Sequence, residues 1–373
     1  MKGLAVYHRP MKPRRELASL LSGTCQPANL DHEAAEAWLQ CAWQEGVTAL
    51  MARRLDALRT QQVDVVDELW QAAQEAARGL AATELRQRAG LRQVLAALHH
   101  AQLPVLVLKG GALAHWLYPA PYLREFSDLD LLFADSDQAL KAAVALASLG
   151  YTMPYPASRF RHELACRSAD PQAPELDLHW ALSDWPVLDR LPAFAELDAT
   201  AIDLPGLGTG ARGLGAPHAL LHACVHRASN LSAGLGDRLK WLYDMHLLAQ
   251  VLDREDGWQR FLTACEQARV CGIAAEGLDA TVALFGTPVP PAVSAALAAG
   301  RVREPLDATR LSDWRYLQRL NFRALPGWGA RLAWLGDRLL PPAGHLRALY
   351  GEDLGYPALL WRRLRNAVRK TMR

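Results

Sequence analysis

The chain has 373 residues, of which 51% are hydrophobic and 21% are charged. This length and apolar fraction suffice for a folded protein of two or three structural units with a large core, which excludes a disordered chain. Lysine and arginine (41) nearly balance aspartate and glutamate (39), so the net charge of +2 gives no sign of a large polyanionic partner.

Cysteine usage and the apolar runs favour a cytoplasmic protein. The six cysteines are scattered without a C-x-x-C pair, which argues against a zinc ribbon and against a disulfide framework. Residues 1–10 hold too short an apolar stretch for a signal peptide. Elsewhere the apolar runs stop well before the roughly 20 residues that a membrane-spanning helix needs. We therefore expect a soluble protein without a transmembrane segment.

Helical patterns occupy both ends of the chain. Residues 15–100 are rich in Ala, Leu, Glu, Gln and Arg, with apolar residues at three- and four-residue intervals, which predicts helices. A helical pattern returns at Pro217 and continues to the end of the chain. The helices predicted there cover residues 217–228, 237–251, 256–268, 273–285, 291–299, 309–321 and 357–370.

The middle of the chain has the pattern of a small sheet. Short apolar or alternating runs predict four strands, at residues 103–108, 129–133, 160–166 and 175–182. A short helix is predicted over 112–118, and Ser136 is expected to cap a second helix that ends at Gly150. The glycine-dense segment 204–210 is expected to join this unit to the next.

These elements predict an α+β fold in three parts. An N-terminal helical region covers residues 1–100, an α/β module with a mixed sheet covers 101–210, and a C-terminal helical domain covers 211–373.

Two motifs in the module suit a nucleoside triphosphate. Gly110 and Gly111 follow a strand and open a helix, whose unpaired N–H groups and positive dipole end attract phosphate. Asp128 and Asp130 are two residues apart on a strand, so their carboxylates lie on one face and repel each other. A hard dication such as Mg²⁺ relieves that repulsion. Asp177, at the centre of a later alternating strand, is the plausible third ligand.

The combination resembles an uncharacterised bacterial nucleotidyltransferase family of the polymerase β-like superfamily and, more distantly, the nucleotidyltransferase toxins of abortive-infection systems. The resemblance covers roughly residues 100–250. It is carried by residues 106–113, Arg124, residues 127–132, residues 176–180, and a later helical motif with His222, His226, Arg238, Lys240, Trp241 and Asp244.

The resemblance implies a polymerase β-like module in which Asp128, Asp130 and Asp177 bind Mg²⁺, with Mn²⁺ as a substitute. Asp177 would also help to activate the incoming hydroxyl. Implied nucleotide-binding residues are Lys109, Gly110, Gly111, Arg124, Ser127 and Lys240, and candidate cleft residues are His179, His222, His226 and Arg238. Many superfamily members have Gly-Ser where this chain has Gly110-Gly111, which removes one phosphate contact.

The predicted reaction moves a nucleoside monophosphate from an NTP to a hydroxyl acceptor and releases pyrophosphate. The acceptor stays open among small molecules, saccharides, peptides, proteins and a tRNA end. Two other functions fit parts of the pattern: a catalytically degenerate NTP-binding module that serves a partner, and an Asp-x-Asp glycosyltransferase. The helical N-terminal region argues against the glycosyltransferase, since such enzymes are expected to begin with strand-and-helix units.

Several of these patterns also have a simpler structural interpretation. Lys240 could be a surface charge paired with Asp244 at i,i+4. His218, His222 and His226 share one helix face, where a cleft lining is favoured over a zinc site. Residues 361–373 hold six basic residues and no acidic one, which suits a solvated helix end, an anionic membrane surface or RNA.

Overall fold

The computed structural model describes residues 11–24, 32–155, 160–171, 173–351 and 354–371. Cys25 and Arg373, both part of the patterns above, lie outside these ranges. The N-terminal region is helical, as predicted. Its helices are α1 (Met11–Ser22), α2 (His32–Glu45), α3 (Thr48–Thr60) and α4 (Asp67–His100).

A seven-stranded mixed sheet follows. Its strands are β1 (Leu106–Val107), β2 (Asp128–Leu132), β3 (Tyr151–Thr152), β4 (Glu163–Ser168), β5 (Glu175–His179), β6 (Ile202–Asp203) and β7 (Arg212–Gly213). They lie in the order β3-β4-β5-β2-β1-β7-β6. The pairs β2–β5 and β1–β7 are parallel and the other neighbouring pairs are antiparallel. The α+β fold class with a mixed sheet is thus confirmed.

The bounds and the number of the strands differ in part from the predictions. The first strand covers only Leu106 and Val107 of the predicted 103–108, in keeping with Pro104, which has no N–H to donate. The third begins at Glu163 rather than at residue 160. The strands β3, β6 and β7 were not predicted, because two residues are too few to show an alternating pattern. Residues 204–210 join β6 to β7, so the sheet continues past residue 210.

Two short helices flank the central strands. Helix α5 (Lys109–Trp116) begins three residues earlier than predicted and contains both glycines in its first turn. Helix α6 (Ser136–Leu146) is capped by Asp135, whose Oδ1 accepts a hydrogen bond from Gln138 N at 2.8 Å. The prediction that Ser136 is the cap was therefore wrong by one residue, since Asp135 has the extended backbone that a cap requires.

The C-terminal part is helical, as predicted. Its helices, after the short α7 (Phe194–Ala199), are α8 (Ala216–Ser232), α9 (Leu239–Arg254), α10 (Trp258–Ala268), α11 (Cys271–Phe285), α12 (Pro291–Arg301), α13 (Trp314–Ala324), α14 (Gly327–Leu339), α15 (Ala343–Tyr350) and α16 (Tyr356–Thr371). Helix α13 begins later than predicted because Asp313 caps it, and α14 and α15 were not predicted. Among the described residues, no helix is both long enough and apolar enough to cross a membrane.

The two faces of the sheet have different surroundings. One face carries Leu129 and Leu131 of β2 with Leu176 and Leu178 of β5, and it packs in one apolar cluster with buried side chains of α4 and α6. Because side chains alternate along a strand, Asp128, Asp130 and Asp177 lie on the other face. The C-terminal helices α8 and α9 approach that side and leave a cleft.

The N-terminal helices are joined to this cleft by a buried carboxylate. Glu45, at the end of α2, accepts hydrogen bonds from Arg14 Nε at 3.1 Å and from Leu239 N at 2.6 Å. The second bond satisfies an otherwise unpaired N–H at the start of α9 and places negative charge at its positive dipole end. The first turn of α9 is therefore positioned by residues nearly 200 positions earlier.

Candidate active site

The centre of the candidate site is the parallel pair of strands β2 and β5. Their register places Asp130 directly beside Asp177 and Leu132 beside His179. Neighbouring residues in register on adjacent strands point to the same face, so the two carboxylates converge. This is the arrangement that the sequence predicted for Asp130 and Asp177.

His179 lies close to both carboxylates. Single donor atoms of Asp130, Asp177 and His179 all lie within 4.8 Å of one another. His179 Nε2 is 2.8 Å from Asp130 Oδ1, and its Nδ1 is 3.8 Å from Glu163 Oε2 on β4. The ring therefore holds the Asp130 carboxylate from the side of β5.

Lys109 holds the same carboxylate from the other side. Its Nζ is 2.5 Å from Asp130 Oδ1, and its backbone has a positive φ of 47°, which is uncommon for a residue other than glycine. Burial opposes the charge on Lys109, but attraction to Asp130 outweighs it and raises the pKa of the ammonium. Burial likewise opposes the charge on Asp130, but Lys109 and His179 lower the pKa of that carboxyl well below its usual range.

Asp177 has a different electrostatic environment. Burial and the neighbouring Asp130 charge raise the pKa of Asp177 to about 6. The charged form of Asp177 is therefore disfavoured, mainly by burial, and a bound cation would stabilise it.

Asp128 lies at the entrance of the same strand face, half-buried. Its Oδ1 accepts a hydrogen bond from Ser127 Oγ at 3.1 Å, and both residues line the cleft. Within the described part of the chain, the close donor group contains His179 in addition to Asp130 and Asp177, and does not include Asp128. The i,i+2 pair thus spreads along the strand, with Asp130 deep and Asp128 near the opening.

The glycine pair is required by close packing. A Cβ on Gly110 would lie 2.9 Å from Phe126 Cβ, and one on Gly111 would lie 3.1 Å from Leu129 Cδ2. The first intrahelical bond of α5 runs from Ala112 N to Leu108 O, so the N–H groups of the preceding three residues have no partner within the helix. The glycines bring this helix end against the sheet beside Asp130.

Arg124 is buried, only 5% exposed, in an ion pair. Its Nε and Nη2 each donate to Asp244 of α9 at 2.7 Å, and Tyr118 Oη donates to the same carboxylate at 2.7 Å. A bidentate pair of this kind is strong and directional. Asp244 thus pairs with Arg124, not with Lys240, and the charge of Arg124 is compensated although the residue lines the cleft.

Lys240 extends into the cleft from the first turn of α9. Its Nζ donates to Glu125 O at 3.4 Å, and its aliphatic chain packs so closely on Gly46 that a Cβ there would lie 2.6 Å from Lys240 Cδ. Burial, followed by repulsion from Arg124 and Arg238, lowers the pKa of Lys240 to about 8.

The histidines of α8 separate into two groups. His222 and His226 line the cleft, whereas His218 Nδ1 lies 3.0 Å from Thr200 Oγ1. Burial and the charge of Lys109 lower the pKa of His222 to about 3, and the pKa of His226 is also lowered, so both rings are neutral near pH 7. The three rings form no close metal-ligand group among the described residues.

The cleft has a volume of about 220 Å³. Residues predicted for the site supply much of its lining: Lys109, Gly110, Arg124, Ser127, Asp128, Asp130, His222, His226, Arg238 and Lys240. Asp177 and His179 lie beside it, next to Asp130. The guanidinium of Arg238 lies 5.5 Å from the ring centre of Trp241, and its Nε has no hydrogen-bond partner among the residues that the structure describes.

Sequence reasoning missed several contributors to this site, among them Trp116 and Glu125. Trp116, at the end of α5, lines the cleft, and its Nε1 has no hydrogen-bond partner in the described part of the chain. Glu125 accepts a hydrogen bond from Thr48 N at 3.0 Å, and its carbonyl oxygen accepts one from Lys240. Trp116 follows the glycine pair on a helix that the pattern did predict, so its position was the available signal. For Glu125 there was none, because its partner is 77 residues away.

Comparison with known proteins agrees with this geometry. A family model described as "Uncharacterised nucleotidyltransferase" matches residues 31–286, which is most of the chain. No curated protein and no solved structure matches. The wider polymerase β-like grouping and the similarity to abortive-infection toxins remain predictions. The chain belongs to this uncharacterised nucleotidyltransferase family.

Proposed function

We propose that the protein transfers a nucleoside monophosphate from an NTP to a hydroxyl acceptor and releases pyrophosphate, with Mg²⁺ or Mn²⁺ as cofactor. The observation that carries this proposal is the convergence of Asp130 and Asp177 on neighbouring parallel strands, beside a cleft lined by Lys109, Arg238 and Lys240. Two carboxylates next to a cation-rich cleft suit a divalent ion and a triphosphate together.

The residues present fit a divalent cation. The pKa of Asp177 is raised by burial and by the neighbouring charge of Asp130, and a divalent cation would offset both effects. Mg²⁺ prefers one or two carboxylates plus substrate oxygens, and an imidazole such as His179 widens the choice towards Mn²⁺. We assign Asp130 and Asp177 as the principal ligands and Asp128, near the opening, as the third carboxylate. The ion would neutralise charge on the triphosphate and on the departing pyrophosphate.

The triphosphate would lie along the cationic side of the cleft. Lys240 and Arg238 approach from α9 and its N-terminal flank, and the unpaired N–H groups at Lys109, Gly110 and Gly111 offer further donors. Ser127 supplies a hydroxyl at the entrance. Arg124 would act as a positioning residue, because its guanidinium fixes α9 through Asp244.

The proposed reaction is an in-line displacement at the α-phosphorus of the NTP. The acceptor oxygen forms a bond to the α-phosphorus while the bond from that phosphorus to the bridging oxygen of the β-phosphate breaks. The electron pair leaves with pyrophosphate, and the hydroxyl proton passes to the Asp177 carboxylate. His179 keeps Asp130 in place through its 2.8 Å contact. Chemistry of this kind depends mainly on positioning and charge stabilisation.

The labelled product of a transfer assay identifies both the acceptor and the base of the nucleotide. Incubation with each α-labelled NTP, Mg²⁺ or Mn²⁺ and a host extract would identify the labelled product, with self-labelling scored in parallel.

The proposal is tested with Asp130→Asn and Asp177→Asn. Each should lower transfer by about 100-fold or more, since both remove charge at the reacting phosphate. Asp137→Asn is the matched control, because Asp137 is exposed in the first turn of α6, which packs on the opposite face of the sheet. Activity of either site variant at the control level, with the fold intact by circular dichroism, would reject the assignment.

One observation favours a second function, a degenerate NTP-binding module that serves a partner. Lys109 Nζ already compensates the charge of Asp130 at 2.5 Å, where a metal ion would otherwise do so. In that case the wild type binds NTP in the presence of Mg²⁺, measured by calorimetry, without turnover across acceptor panels. Transfer of a nucleoside monophosphate to any acceptor would exclude it.

A further inference from the structure

A surface on the last helices combines exposed apolar side chains with positive charge. On α14, Trp328, Leu332, Leu335 and Leu339 follow one another at intervals of four, three and four residues, so they share one helix face. Their exposures are 70%, 64%, 36% and 70%. A contiguous row of large apolar residues on one exposed face is typical of an interaction site, whereas single exposed apolar residues are common on any surface.

Two other helices extend this row. Trp314 of α13 is 63% exposed, and Trp361 and Leu364 of α16 are 66% and 56% exposed. An open groove of about 930 Å³ runs between α13, α14 and α16, and its apolar lining includes Trp314, Leu335, Leu339, Trp361 and Leu364. We call the exposed apolar residues of these three helices the C-terminal apolar surface.

The same segment is strongly basic. Residues 314–373 contain twelve arginines and lysines and three acidic residues, although the whole chain has a net charge of only +2. Arg338 and Arg363 line the groove. The Arg331 guanidinium lies 5.4 Å from the ring centre of Trp328, and that of Arg338 lies 3.9 Å from Trp334. Cationic and apolar groups are thus interleaved across one surface.

We propose that the C-terminal apolar surface binds the surface of an anionic lipid bilayer. Tryptophan and leucine insert at the boundary between headgroups and acyl chains while arginines contact lipid phosphates, and this combination is typical of helices that lie in the membrane interface. RNA complements the arginines but leaves the exposed leucines of α14 without an apolar partner. A second copy offers the same positive charge, which is repulsive. The residues that line this groove and those that line the cleft of the proposed transferase site do not overlap.

Sedimentation of the full chain with vesicles tests this. Phosphatidylcholine vesicles are compared with vesicles that contain phosphatidylglycerol in addition, and the bound fraction should be higher on the anionic ones. Raising the salt concentration should weaken binding. The variant Trp328→Ala/Leu339→Ala/Trp361→Ala should reduce vesicle affinity about tenfold or more, because it removes the apolar part of the contact.

Trp43→Ala is the matched control, because Trp43 is 74% exposed and lies on α2, which is not one of the three helices that form this surface. It should bind vesicles like the wild type. The proposal is overturned if the triple variant binds as tightly as the control, if neutral and anionic vesicles bind equally, or if light scattering shows a dimer that the triple variant disrupts. Retention on RNA but not on anionic vesicles would also overturn it.

Discussion

Lys240 is the cleft cation whose charge is most sensitive to pH. Burial, with repulsion from Arg124 and Arg238, lowers the pKa of its ammonium to about 8. Protonated Lys240 attracts a triphosphate, and the neutral amine does not. We expect the affinity for a non-hydrolysable NTP to fall about tenfold between pH 7 and pH 9, as the protonated fraction declines.

The matched variant for this prediction is Lys240→Arg, whose guanidinium stays charged over the whole range. It should bind with little change between pH 7 and pH 9 in the same calorimetric titration. An identical pH dependence in both proteins would show that another group controls binding.

His222, a buried residue that lines the cleft, makes the stability of the folded protein depend on pH. Burial and Lys109 lower the pKa of His222 to about 3 in the folded protein, whereas an unfolded histidine titrates near 6.5. The unfolded chain therefore takes up the proton first as the pH falls. The contribution of neutral His222 is complete above about pH 6.5 and is lost progressively towards pH 3, with a cost of about 2 kcal/mol at pH 5.

Urea denaturation at pH 7 and pH 5 measures this effect against His222→Gln, which cannot protonate. The loss of stability between the two pH values should be smaller in the variant. Asp177 acts in the opposite direction, because its pKa is raised, so the comparison must be made between the two proteins at each pH. Equal losses would remove His222 as the cause.

At the scale of elements, the packing of α5 on the sheet depends on Gly110. A Cβ there would lie 2.9 Å from Phe126 Cβ and 3.1 Å from Arg124 Nη1. Gly110→Ala should therefore move α5 or the segment around residue 126. We expect a stability loss of about 1–3 kcal/mol and weaker NTP binding, measured by denaturation and calorimetry.

Gly79→Ala is its control. Gly79 lies within α4 with nothing within 4 Å of its Cβ position, so alanine should stabilise the protein by about 0.5–1 kcal/mol through helix propensity. If Gly110→Ala also stabilises the protein, the close approach of α5 to the sheet is not required.

At the scale of the whole molecule, the buried pair Arg124–Asp244 joins the segment before β2 to α9. Both side chains are 5% exposed. Asp244→Asn leaves an arginine buried without a counter-charge, which should cost about 3–5 kcal/mol in urea denaturation. Tyr118→Phe removes a single hydrogen bond to the same carboxylate and should cost only about 1 kcal/mol.

The double variant Arg124→Met/Asp244→Leu removes both charges together. It should recover much of the stability lost in Asp244→Asn, because the cost arises from an unpaired buried charge and not from the loss of an attractive pair. Equal destabilisation in the single and double variants would contradict this account.

Local patterns in the sequence predicted most of the longer helices and strands and several residues that line the cleft. Alternation along β2 places Asp128 and Asp130 on one face, since this follows from strand geometry alone. That Asp177 lies on the same face depends on the register between β2 and β5. The family, the mixed sheet between helical regions and most C-terminal helices were also predictable, because apolar period and glycine punctuation are local signals.

Only the tertiary structure decided which side chains meet. Lys109 and His179 both contact Asp130, Arg124 pairs with Asp244 over 120 positions, and Glu45 caps α9 over 194. Each charged residue could pair with many residues of opposite sign, and which pair forms depends on how distant elements pack. The two-residue strands could not be predicted for a related reason. They form because they pair with neighbouring strands, and their own sequence is too short to show alternation.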